Sequence, residues 1–231
     1  MSSWVVYGMG FREPVREDFP LRPVNDHYAV TKAQADHLVQ DFMRRGLSAT
    51  VLRPGTMFGP GDAVNFKRLA QRLRAGKAVI IGSGQNLVPF VHVSDAVRAM
   101  IASAELKTAA GQCYNIGNDQ ALTQAELWNA IAEAIGSNPP RMHLPYFVLY
   151  SAAAAAEFAF SLHKSYGQPL LTRLGVKLYG SNNSQSIAKA RAELGYQPQV
   201  SIREGVNKAA GWYLGATDSV SDTSDRIEMH A

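Results

Sequence analysis

The chain has 231 residues, 46 % hydrophobic and 18 % charged, with 19 glycines and 11 prolines; this suffices for a sizeable core in one domain or a domain and a half and excludes a low-complexity body. The formal charge of +4 divides unequally, because residues 216–231 carry Asp218, Asp222, Asp225 and Glu228 against Arg226, leaving the tail at −3 and the body at +7. The basic residues of the body are dispersed rather than gathered into a stripe, which argues against a nucleic-acid reader, and the single cysteine, Cys113, rules out a disulfide framework.

In chain order, Ser2 to Gly8 reads as a strand end running into a turn, Tyr28 to Lys32 opens a helix, and Ala49 to Arg53 is a strand stopped by Pro54-Gly55. Phe66 to Ala75 is predicted helical, with Phe66, Leu69, Ala70 and Leu73 on one face. Strands are expected at Val79 to Ile81 and Val88 to Val93, after which Ser94 caps a helix carrying Val97, Met100 and Ile101. Gln112 to Ile116 is a further strand, and Cys113 within it is read as a buried strand residue. Thr123 and Glu126 form a capping box for a helix that should end at Gly136. Ile187 to Leu194 and Ile202 to Leu214 are helix candidates, and the short tail rich in serine and aspartate is expected to be disordered.

Tyr28 and Lys32 stand one helical turn apart, so the ammonium can sit beside the phenol and stabilise its anion. One positive charge about 4 Å away at an effective dielectric of ~20 supplies roughly 4 kcal/mol, against ~0.3 to 1 kcal/mol from a helix N-terminus. The bare spacing also fits an ordinary amphipathic helix with Tyr28 half buried and Lys32 solvated. Ser3, 25 positions before Tyr28, and Leu52-Arg53-Pro54-Gly55 after it change the balance. Together these segments resemble the extended short-chain dehydrogenase/reductase family, from Met1 to about Leu214.

The resemblance implies an α/β fold: the C-terminal part of a Rossmann-like, doubly wound parallel sheet plus a smaller mixed α/β substrate-binding region. Residues 1–62 would be a remnant of the dinucleotide-binding domain, 63–215 the substrate-binding region interleaved with the last strands, and 216–231 the tail. It also implies Ser3 bonding the substrate oxygen, Tyr28 as general acid/base, and Lys32 binding the nicotinamide ribose while tuning the tyrosine. Arg53, Pro54, Gly55 and Thr56 would lie beside the nicotinamide of NAD or NADP. No cysteine or histidine cluster has metal-ligand spacing, so no metal is expected.

A dinucleotide-binding half should begin with a strand, a glycine-rich turn and a helix, and no such unit precedes Ser3. Gly82-Ser83-Gly84 follows an apolar run but leads into another strand-like run, so it is read as a turn that mimics the fingerprint. By the resemblance the chain opens at the end of the fifth of seven strands and is an N-terminally truncated reductase, expected neither to bind a dinucleotide tightly nor to turn over substrate. Its uncovered sheet edge would favour aggregation or pairing with a partner.

Nucleotide-sugar epimerases of the family place a phosphate-gripping arginine where Val88 stands, which weakens that reading. Gly84-Gln85-Asn86, the apolar stretch Leu144 to Leu162 and the ending Leu194-Gly195-Tyr196-Gln197-Pro198 resemble the 3β-hydroxysteroid dehydrogenase-like branch, with Asn86 and Val88 as substrate-side positions. His92, between apolar strand residues and just before a cap, reads as a structural histidine, and Asp95 as a first-turn residue. The expected activity is NAD(P)-dependent oxidation or reduction at a secondary alcohol or ketone of an apolar, for example steroid-like, small molecule. The alternatives are a nucleotide-sugar epimerase/dehydratase and a non-catalytic remnant that pairs with another subunit, including a second copy in a homo-oligomer.

Leu144 to Leu162 approaches the length of a membrane span, but Pro145 opens it, Glu157 interrupts it and its alanines contribute little transfer energy. It is expected to be a buried or substrate-covering helix, with membrane contact the lesser alternative. No secretion signal is expected, and the reducing cytoplasm is the default location.

Overall fold

The polypeptide folds into short, mostly parallel strand pairs flanked by helices, in a computed structural model that describes residues 1–162 and 171–228, the last twelve by their backbone alone. Strand β1 (Val51–Pro54) pairs in parallel with β6 (Cys113–Ile116), Val51 opposite Cys113 and Pro54 opposite Ile116. The Val51 and Gly55 amides bond toward β6, whereas the Leu52 carbonyl accepts from the Ser2 amide at 2.8 Å. Backbone groups of successive residues point to opposite sides of a strand, so β1 lies between β6 and the extended segment at Ser2. Cys113 is partly rather than fully buried.

After Gly55 the chain continues as β2 (Thr56–Phe58), which pairs in parallel with β5 (Phe90–His92). Strand β3 (Ile80–Ile81) pairs in parallel with β8 (His143–Leu144), and β4 (Leu87–Val88) antiparallel with β7 (Leu122–Thr123). The strand expected over Val88 to Val93 is therefore split at Pro89. Proline has no N–H for the ladder, and here its carbonyl accepts from the Thr56 amide at 2.6 Å.

Helix α1 (His27–Arg44) starts at Asp26, whose carboxylate accepts from the amides of Tyr28 and Ala29 at 2.9 and 3.2 Å. Its buried stripe is Ala29, Ala33 and Asp36. The small alanines let the segment after Ser3 approach closely, and Trp4, Val5 and Ala29 form one buried cluster. That segment is not the strand end expected from its apolar run. Trp4–Tyr7 is a single 3-10 turn closed by Gly8 at φ 97°, because packing on α1 outweighs strand propensity.

The largest core joins α2 (Phe66–Arg74), α4 (Gln124–Ala134) and the first half of α8 (Ile202–Glu228). The predicted face of α2, Phe66, Leu69, Ala70 and Leu73, is the one that is buried. The Thr123–Glu126 capping box forms with both reciprocal hydrogen bonds, and Gly136 follows the helix at φ 64°. Helix α3 (Val93–Glu105) is capped by His92 rather than by Ser94: the His92 ring accepts from the Ser94 amide, so the helix begins two residues sooner. Helix α7 (Ala188–Leu194) ends at Gly195 in the left-handed conformation.

Two further expectations change. Helix α5 (Tyr146–Leu162) packs on α6 (Arg173–Gly180), but among its residues only Leu149 and Ala153 are buried. Helix α8 continues through Glu228 across the stretch expected to be disordered. Residues 217–228 contain no glycine or proline, and a helix already nucleated by a packed first half extends at one hydrogen bond per residue. Residues 229–231 of the expected tail lie outside the described residues.

Candidate active site

Helix α1 sets Tyr28 and Lys32 beside its buried stripe. The Lys32 amine stands 6.0 Å from the centroid of the Tyr28 ring and donates to the Met1 carbonyl at 3.4 Å. Tyr28 is 50 % exposed, so its hydroxyl is open to a ligand. Ser3 is extended and 8 % exposed; it occupies the N-cap position of the 3-10 turn without using its side chain as a cap. The turn that follows rests on Ala29, the neighbour of Tyr28. A hydroxyl, a phenol and an ammonium thus come from two segments that meet.

Arg53 faces elsewhere. Its guanidinium donates twice to Asp36, both at 2.9 Å, once to the Tyr7 hydroxyl at 2.7 Å and once to the Glu17 carbonyl at 3.2 Å. Tyr7 passes its own hydrogen to Asn115 Oδ1 at 2.8 Å, and the Asn115 amide donates to the Glu17 carboxylate at 2.8 Å. Burial opposes the Asp36 charge, but the hydrogen bonds and charge of Arg53 hold its carboxyl below the usual range. Burial likewise works against the guanidinium, and Asp36 more than restores it, so Arg53 stays a cation. Burial pushes the Tyr7 phenol up to about 12 despite the nearby guanidinium, which keeps it a neutral donor.

Pro54 and Gly55 are buried, and Thr56 is partly exposed. A Cβ on Gly55 would lie 2.7 Å from the Pro89 carbonyl oxygen, so this glycine permits the close passage of the two strand connections. Asn86 donates from Nδ2 to the carbonyls of Tyr179 and Ser181 at 2.5 and 3.1 Å, clasping the end of α6. Val88 is fully buried and lines a cavity of about 240 Å³ with Pro14, Phe90, Asn118 and Gln185. Asp95 is buried and accepts from the amides of Gln199 and Val200, a structural use in the first turn of α3. His92 is 5 % exposed, and burial lowers its pKa.

The sequence reading missed Asp36, Tyr7, Glu17 and Asn115. Asp36 carried a signal: with Ala29 and Ala33 it falls on one stripe of the helix, and a carboxylate on a buried stripe requires a cationic partner. Nothing local pointed to the other three, which come from distant segments.

The donor set fits one end of a nicotinamide dinucleotide. Tyr28 and Lys32 offer a hydroxyl and an ammonium suited to ribose oxygens. Among the described residues the Gly82-Ser83-Gly84 turn lies between β3 and β4 and precedes no helix, so it offers no helix N-terminus to a pyrophosphate. No group of three or more metal-ligating side chains occurs among the described residues.

Residues 1–117 match the family model described as "NAD dependent epimerase/dehydratase family". The chain is 34 % identical over 205 residues to 3beta-hydroxysteroid-dehydrogenase/decarboxylase isoform 1 of Arabidopsis thaliana, covering 83 % of this chain and 47 % of that protein. It is 33 % identical over 208 residues to 2-alkyl-3-oxoalkanoate reductase of Stenotrophomonas maltophilia, covering 88 % and 62 %. The chain spans about half the length of the curated relatives it matches. Among solved structures, UDP-glucuronic acid 4-epimerase from Bacillus cereus in complex with NAD superposes with a TM-score of 0.69 at 21 % identity, covering 93 % of this chain and 60 % of that one, a likeness of fold.

Proposed function

Since the chain belongs to the NAD dependent epimerase/dehydratase family, in the 3β-hydroxysteroid dehydrogenase-like branch of the extended short-chain dehydrogenases/reductases, we propose that it carries the proton-transfer end of an oxidoreductase. The substrate is a secondary alcohol or ketone on an apolar skeleton, and the cofactor NAD or NADP. The observation that carries this reading is the Lys32 ammonium over the half-exposed Tyr28 phenol. The names of the relatives, a hydroxysteroid dehydrogenase and an oxoalkanoate reductase, support the alcohol/ketone pair.

A nicotinamide dinucleotide, when bound, supplies the two-electron acceptor or donor. This chain's residues do the rest. Tyr28 Oη takes the hydroxyl proton as an alcohol is oxidised and returns it as a ketone is reduced. Lys32 stabilises the phenolate in that exchange and, with Tyr28, holds a ribose. Ser3 Oγ aligns the reacting oxygen. Pro54, Gly55 and Thr56 contribute backbone and hydroxyl surface beside the nicotinamide, while the Arg53 side chain is occupied by Asp36.

The test follows reduced nicotinamide in a polypeptide that joins this chain to a separate dinucleotide-binding half and is supplied with an apolar secondary alcohol and NAD or NADP. Tyr28→Phe is expected to abolish the signal while weakening the dinucleotide titration far less, because Lys32 still bonds the ribose; turnover retained in that variant removes the assignment. A redox-neutral product from a nucleotide-linked sugar would favour epimerisation instead. Among the described residues no Gly-x-Gly-x-x-Gly run joins a strand to a helix, so dinucleotide binding is expected to be weaker than micromolar by calorimetry.

A further inference from the structure

His92 sits where three elements meet and leaves one of its own atoms without a partner. It ends β5 and faces Phe58 of β2 across the ladder, the two rings edge to face at 5.8 Å. Its Nδ1 accepts from the Ser94 amide at 3.3 Å and lies 2.8 Å from Ser94 Oγ, which starts α3. A ring nitrogen that accepts the amide leaves the ring hydrogen on Nε2. Nε2 is buried and has no hydrogen-bond partner, a costly state for a donor.

The ring is also wedged between two backbones. A Cβ on Gly59, at the exit of β2, would lie 3.2 Å from Nε2, and one on Gly205, in the first turn of α8, 2.9 Å from Cδ2. Two glycines therefore let the exit of β2 and the start of α8 close directly on the imidazole. The charges around it come from α3, which brings Asp95 and Arg98, and from α8, which brings Glu204 and Lys208. The facing residues of β2, Phe58 and Gly59, are uncharged. Asp95 is engaged by Arg98 and by the amides of Gln199 and Val200, and Glu204 by Lys208 at 2.7 Å, so both carboxylates are already committed.

We propose that His92 is an acid-released latch that, while neutral, holds the exit of β2 and the first turn of α8 against the start of α3. A proton added at Nδ1 turns the acceptor of the Ser94 amide into a donor, and the cap of α3 is lost. It also places a full charge on a ring whose Nε2 is closed to solvent, and that charge can be solvated only by parting Gly59 from Gly205. Burial already disfavours the charged ring, the sense that a latch closed at neutral pH requires. The parting is local, because the Asp95 bonds to Gln199 and Val200 still tether the chain just before α8. The latch does not depend on the proposed chemistry, although β2 begins at Thr56, so its release would loosen the stretch proposed to flank the nicotinamide.

The test is hydrogen exchange of the full 231-residue chain, read segment by segment at pH about 7.5 and about 5 and corrected for intrinsic rates. The lower value stays above the ordinary carboxylate pKa of about 4. Residues 57–62, 93–97 and 201–206 are expected to lose about tenfold in protection at the lower pH, while β1 and β6 keep theirs. In His92→Asn, whose amide oxygen caps a helix without titrating, the loss should vanish. Gly205→Ala should reproduce it at pH about 7.5, since its methyl meets the His92 ring at 2.9 Å and the Phe58 ring at 2.8 Å. Without a seat on that ring, alanine would only strengthen the helix. An acid response shared equally by β1 and β6, no response in the three segments, a response that persists in His92→Asn, or added protection of 201–206 in Gly205→Ala overturns the proposal.

Discussion

Asp36 of α1 and Arg53 of β1 meet in a two-point ion pair, both contacts at 2.9 Å, with side chains 0 and 2 % exposed. The pair fixes the rotation of the helix that carries Tyr28 and Lys32 relative to the sheet. Through Tyr7 it also reaches the turn that follows Ser3.

Removing one partner leaves a buried charge uncompensated. Arg53→Met and Asp36→Ala are each expected to destabilise the chain by about 3–5 kcal/mol, and the double variant by less than their sum, as a double-mutant cycle in urea would read. The Asp36 carboxyl is depressed in the folded state. Its contribution is therefore full above the ordinary carboxylate value of about 4 and disappears as pH falls through the folded pKa. Additive losses would show that the pair is not coupled.

His92 titrates in the same sense from a higher starting point. Burial lowers its pKa in the folded chain, so above pH about 6.5 both folded and unfolded forms are neutral and stability is complete. As pH falls below that value the unfolded chain binds the proton first, and stability declines through the folded pKa. Unfolding midpoints measured down to pH about 5 should fall more steeply in the native chain than in His92→Gln. Equal slopes would remove His92 from the acid response.

Two glycines should respond with opposite signs. Gly55→Ala drives a methyl to 2.7 Å from the Pro89 oxygen, backbone against backbone, and is expected to cost about 1–3 kcal/mol. Gly211, inside α8, has nothing within 4 Å of a built Cβ, so Gly211→Ala should stabilise by about 0.5–1 kcal/mol. Thermal unfolding of the two variants beside the native chain checks both.

Tyr28→Phe separates chemistry from folding. The ring is half exposed and its hydroxyl is not needed for packing, so stability should move by less than about 0.5 kcal/mol. A large loss of stability would mean that the phenol is structural.

The elements that the sequence made legible are those specified within a few neighbouring residues. The α2 face followed from apolar spacing, the start of α4 from the Thr123–Glu126 box, and the end of α7 from Gly195, each a signal contained in one or two turns. Tyr28 and Lys32 were legible together because one helical turn joins them. Less legible was the role of Arg53, whose place in a motif says where the chain runs but not which way a long side chain turns. The partners that hold it lie 17, 36 and 46 positions away, and Asn115, next in that network, is farther still.

The amino-acid order by itself therefore determined the alternation of helices and strands, the family likeness and the tyrosine–lysine pair, because periodicity, caps and turn residues act through local backbone geometry. Only the tertiary structure decided that Trp4–Tyr7 turns instead of extending, that Asp36 claims Arg53, and that one face of α5 is left open. Burial is a property of what lies opposite a residue. In this chain what lies opposite comes from segments far away in sequence, so no local pattern could announce it.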